Sequence, residues 1–171
     1  LRIDFENIEQ KCIDTAATKE YDLLVDKVNK AKKIFLIGNG GLHFVANHMA
    51  TDLTRLIKNK VVYSFESVGF ITSNANDHGF EKMFVRWLET VCAVENPDDC
   101  LIIGLSCSGN SSNVVRSLHW GHENNFPTFL ISGQKSLALR DEVDQLCFNC
   151  EYFHTVEVMC LMVFYDLIHR V

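Results

Sequence analysis

No run of basic residues occurs in this chain, and its formal net charge is −6. Both observations exclude a general nucleic-acid binder, whose footprint is a basic patch or stripe. No apolar stretch approaches the roughly 20 residues that a membrane-spanning helix needs. The N-terminus also lacks the basic, apolar and small-residue order of a signal peptide, so a cytoplasmic protein with no membrane partner is expected. The chain begins without methionine, and its true ends are expected to lie outside the sequence. Internal repeats, low-complexity tracts and linkers are absent. The 171 residues, 47% of them hydrophobic, therefore suit one compact domain with its own core. A disulfide framework is lacking too: seven cysteines leave one unpaired in any scheme, and reduced thiols are the simpler reading. Cys147 and Cys150 form a C-x-x-C, but on an apolar, strand-like stretch and with no second pair to complete a zinc site.

What is present is an alternation of short apolar runs with helical patterns. Residues 5–32 carry helical spacing, with Phe5 and Ile8 and then Leu23, Leu24, Val25 and Val28 among charges. Strands are expected at 33–38, 61–65, 101–105, 127–132 and 145–149. Helices are expected at 41–57, 80–94, 113–124 and 155–171, and 69–79 reads as loop. Strands alternating with helices imply right-handed crossovers and a mostly parallel sheet. The expected fold is α/β: a three-layer αβα sandwich around a five-stranded, doubly wound parallel sheet of flavodoxin-like order 2-1-3-4-5. An N-terminal helical segment (1–32) precedes the core (33–171), all within one domain.

In that order the first and third strands flank the point where the sheet reverses, and ligands bind at the carboxyl ends of strands there. The loops that follow these two strands are Gly38-Asn39-Gly40-Gly41 and Ser106-Cys107-Ser108-Gly109-Asn110-Ser111. Each leads into a helix, whose first amides and dipole favour an anion, and the serines add hydroxyl donors. The serine run contains no lysine, so it is not a nucleotide P-loop. Taken alone it also fits an ordinary strand-to-helix turn with Ser111 as N-cap. The glycine run lacks the third glycine of a dinucleotide fingerprint, a position held by His43, although Glu66 could mimic the ribose-binding acid.

Several pieces together resemble the sugar isomerase (SIS) domain, and within it the phosphoheptose isomerases. They are Ile37-Gly38-Asn39-Gly40-Gly41, His48 with Asp52-Leu53-Thr54, Asn76-Asp77-His78-Gly79-Phe80, and Gly104 to Ser111 followed by Asn113-Val114. The resemblance implies interconversion of sedoheptulose 7-phosphate with an aldoheptose 7-phosphate. It also implies a homotetramer with active sites between subunits, and zinc as a candidate metal rather than a requirement. By position, Asn39, Gly40, Gly41, Ser106, Cys107, Ser108, Asn110 and Ser111 would bind the substrate, with Asn76 and Asp77 lining its pocket. Cys107 replaces the family's threonine and Leu42 its serine, each removing a hydroxyl donor.

Isomerisation through an enediol needs a base to move a proton between neighbouring carbons, and an acid or metal to manage charge on oxygen. His48 and Asp52 are four apart and share a helix face, as ligands for zinc or as ligand and base; the same spacing fits a solvated or capping pair. Asp52 is one methylene shorter than the family's glutamate. In the last helix, Val156 and Phe164 stand at the family's glutamine and histidine, with Glu157 retained between them. Neither replacement can carry a proton. His154, just before that helix, His78 and Glu157 are the substitutes at hand; His154 is equally readable as an incidental loop histidine. Asn76-Asp77 reads either as pocket lining or as a cap for the next helix. Three functions remain open: an isomerase of the phosphoheptose type, a catalytically silent sugar-phosphate binder that regulates or scaffolds, and a phosphosugar enzyme of altered specificity. Relatives that bind the bacterial replication initiator make the second class physically reasonable.

Overall fold

In a computed structural model of the chain, residues 7–139 and 141–171 are described; Phe5 lies outside them. The sheet contains β1 (Lys33–Gly38), β2 (Val61–Ser64), β3 (Cys100–Ser106), β4 (Thr128–Ser132) and β5 (Asp144–Cys147). Their order is β2-β1-β3-β4-β5, every pairing is parallel, and the sheet reverses between β1 and β3 as expected. β3 and β4 are buried along their whole length. That is why they read as continuous apolar runs rather than alternating ones: helices cover both faces.

One face carries α1 (Ile8–Ala16), α2 (Lys19–Lys30), α3 (Gly41–Leu56) and α7 (Phe153–Arg170). The other carries α4 (Val68–His78), α5 (Met83–Val91) and α6 (Ser112–Glu123). The segment expected to form one N-terminal helix is broken at Ala17–Thr18. There the Thr18 side chain accepts the Tyr21 amide at 3.2 Å and starts α2 afresh; a threonine N-cap is worth about 1 kcal/mol. Tyr21, Leu24 and Val28 form the buried stripe of α2. The Lys60 ammonium donates to the carbonyls of Asn29 and Ala31 at 2.9 and 2.8 Å, closing the end of that helix.

A second correction concerns 69–79, which is helical rather than loop. Ser67 caps α4 by accepting the Phe70 amide at 3.2 Å, and no residue of the helix is fully buried. With no buried stripe there is no apolar period to read. Asn76 and Asp77 therefore sit in the last turn of α4, where the Asn76 amide donates to Asp77 at 2.8 Å, and they cap nothing. All seven cysteines are free thiols. Among the described residues no helix is long and apolar enough to cross a membrane.

Candidate active site at the sheet reversal

The loops after β1 and β3 meet above the sheet and are tied together. The Asn39 and Asn113 side-chain amides each donate to the other's oxygen at 2.8 Å, a reciprocal bridge between segments 74 residues apart. It holds the start of α3 beside the start of α6. The turn into α3 passes through Gly40 at φ 55°, ψ −125°, a conformation open in practice only to glycine. Two helix N-termini thus converge on one pocket of about 360 Å³. It is lined by Asn39, Gly40, Gly41, Leu42, Leu105, Ser106, Cys107, Ser108, Ser111, Phe153 and Glu157. Larger clefts lie between α5 and α6, between α1 and α7 and beside Lys32 and Lys58, none of them at the carboxyl ends of the strands, where this architecture places its ligands. A cleft of about 400 Å³ past β4 and β5, lined by Gln134 and Asn149, stands away from the reversal between β1 and β3.

Within the pocket, Ser106 is buried and its hydroxyl lies 3.0 Å from that of Ser111. Ser111 does occupy the N-cap position of α6, but its side chain makes no capping bond. The hydroxyl is turned to Ser106 instead, which leaves the pair at the mouth of the helix, where an oxyanion is stabilised. Ser108 is exposed and accepts the Asn110 amide at 3.2 Å. Burial and the neighbouring Glu157 carboxylate push the Cys107 thiol up to about 11, so it is a weak donor here and no nucleophile.

The carboxylate of Glu157 reaches the start of α3 from α7. It fills the space that a Cβ on Gly41 would occupy, with its three atoms 2.2–2.6 Å from that position. Glu157 is the one carboxylate lining the pocket among the described residues. Gly41→Ala must therefore displace this side chain. Because the displaced group is the free end of a flexible chain, we expect thermal unfolding to shift by less than about 1 kcal/mol.

The remaining sequence candidates are not brought to this pocket. His48 and Asp52 do pair on α3, with Nε2 3.5 Å from Oδ2, but they face outward beside α7. His48 is half exposed and bonds the Tyr165 hydroxyl at 2.9 Å, while Arg55 stands 3.9 Å from Asp52. Asn110 lies beside Ser136, and Asn76 and Asp77 are exposed on α4. His154 is not in a loop: it belongs to the first turn of α7, its ring against Phe153. Val156 and Phe164, at the positions of the expected glutamine and histidine, are fully buried in the core with Met159 and Cys160. Tyr165 beside His48 and Phe153 in the pocket belong to no motif of the sequence. The four-residue step from Phe153 to Glu157 places them on one helix face, a spacing visible in the sequence.

These positions also decide whether zinc fits. One chain offers His48 and Asp52, a phenol and a nearby guanidinium. Among the described residues no three His, Cys, Asp or Glu side chains stand together. A zinc site needs three or four such donors, so the residues of a single chain do not fit the metal.

No protein-family model matches the chain. Among curated proteins it is 31% identical over 126 residues to the phosphoheptose isomerase of Hamiltonella defensa, an alignment covering 71% of this chain and 59% of that protein. It is also 31% identical over 133 residues to the phosphoheptose isomerase of Proteus mirabilis, covering 75% of this chain and 67% of the relative. The chain thus spans less than two thirds of the first of these relatives and two thirds of the second. Among solved structures, a phosphoheptose isomerase from Neisseria gonorrhoeae superposes with a TM-score of 0.77 at 19% identity, covering 95% of this chain and 90% of that one.

Proposed function

The chain belongs to the phosphoheptose isomerase family, and we propose that it binds a sugar phosphate at the sheet reversal and interconverts its aldose and ketose forms. One observation carries this reading: a carboxylate shares the pocket with a hydroxyl loop at a helix mouth. The start of α6, with Ser106, Ser108 and Ser111, takes the phosphate. The Glu157 carboxylate removes the proton from the carbon beside the carbonyl, leaving an enediolate. It then returns that proton to the neighbouring carbon, while the hydroxyl proton passes between the two oxygens. Nothing is gained or lost overall, as an isomerisation requires. Sedoheptulose 7-phosphate is the substrate we infer, in line with the relatives' name.

We assign the exposed face bearing His48, Asp52 and Tyr165 to contact with a second copy in a homotetramer, where these groups would complete a neighbour's pocket. Light scattering tests this part: a fully active monomer would remove His48 and Asp52 from the chemistry.

A second reading, a sugar-phosphate binder without turnover, is favoured by the burial of Val156 and Phe164 where the family's glutamine and histidine are expected. Proton NMR of sedoheptulose 7-phosphate with the protein in deuterated buffer separates the two. Aldose product, or deuterium at the exchanging carbon, supports the isomerase. Saturable line broadening of an unchanged substrate supports the binder, and no perturbation at all removes both.

A further inference from the structure

The proton transfer proposed above leaves the aromatic side chain of the pocket without a task. Phe153 opens α7, one turn before Glu157, and lines the same pocket while remaining 42% exposed. Its ring is paired with that of His154, with centroids 3.9 Å apart and planes tilted by 34°. Its backbone carbonyl accepts the Cys107 thiol at 3.8 Å, which ties the start of α7 to the serine loop. A large apolar ring at the mouth of a hydroxyl-lined pocket is not needed to hold phosphate, which prefers amides and hydroxyls. Nor can it move a proton. It does offer a flat, electron-rich face to weakly positive C–H groups. The His154 ring packs against one side of it.

We propose that Phe153, packed against His154, is a specificity-determining residue that stacks on the C–H face of the ligand's carbon chain. The pocket then selects phosphate esters of a multi-carbon sugar over inorganic phosphate. This deepens the sugar-phosphate reading and rests on it. In physical terms the site has two parts: the α6 mouth recognises the charged end, and the aromatic rim recognises the skeleton attached to it.

The test is calorimetric titration of wild type, Phe153→Ala, Phe153→Leu and Phe153→Trp with sedoheptulose 7-phosphate and with inorganic phosphate. Loss of the ring should weaken sugar-phosphate binding about five- to tenfold in both the alanine and the leucine variants. Inorganic phosphate should change by less than about twofold, and tryptophan should restore wild-type affinity. Leucine keeps apolar bulk without a π face, so a leucine variant equal to wild type would overturn stacking. Equal weakening for both ligands would also overturn it, because the ring would then only shape the phosphate site. A wild type that binds inorganic phosphate and no sugar phosphate would instead remove the sugar-phosphate reading itself, and this inference with it.

Discussion

Glu157→Gln is expected to lower the rate of the proposed isomerisation by about 10²- to 10⁴-fold, the usual contribution of a positioned general base. The amide matches the carboxylate in size and still fits against Gly41, so the fold and the pocket shape should survive. What disappears is basicity. Affinity for the sugar phosphate should not weaken, and removing a negative charge from the pocket that holds a phosphate should tighten it somewhat. Steady-state kinetics with a parallel binding titration read both quantities. The informative pattern is a collapsed kcat with an unchanged or lower Kd. The opposite pattern, retained kcat and weakened binding, would make Glu157 a contact for the substrate's hydroxyls and return the role of base to Asp52 of a neighbouring copy. Glu157→Asp should fall between wild type and the amide, because it withdraws the carboxylate by one methylene from the reacting carbons.

Phe164→His should destabilise the protein by about 3 kcal/mol and restore nothing. The structure places Phe164 at 0% exposure, in one cluster with Leu42, Val45, Met49 and Met159 between α7 and α3. An imidazole there leaves part of the phenyl volume empty and buries polar nitrogens among hydrocarbon side chains, and both effects are costly. The denaturation midpoint in urea measures the loss. Unchanged stability together with a gain in turnover would mean that position 164 faces a site after all.

The strand order and the two ligand loops were legible because each is written in local chemistry. Strands buried on both faces, such as 101–105, read as unbroken apolar runs, and the glycines and serines that follow them mark the turns. The helix at Val68–His78 was hidden for the converse reason: it buries nothing completely and rests on a Ser67 cap and side-chain bonds from Thr72, Ser73 and Asn74 back to its own carbonyls. Helical spacing rightly put His48 and Asp52 on one face of α3. It could not say which direction that face looks, and it looks toward Tyr165 and solvent rather than toward the serines. In the sequence Glu157 is one of several substitutes, with nothing to rank it. Its rank comes from the contact with Gly41, which joins positions 116 residues apart and exists only once α7 has crossed the sheet.

The reciprocal amide bridge between Asn39 and Asn113 also bears on how the domain responds to its ligand. The bridge spans the seam where β1 pairs with β3, so neither half of the chain carries a binding-competent pocket by itself. Binding is then coupled to cooperative unfolding of the whole sheet, and not to the fraying of one loop. Each tenfold excess of sugar phosphate over its Kd should add about 1.4 kcal/mol to the global stability. Amides deep in β1, β3 and β4 should gain hydrogen-exchange protection together, although the proposed site lies only at the strand ends.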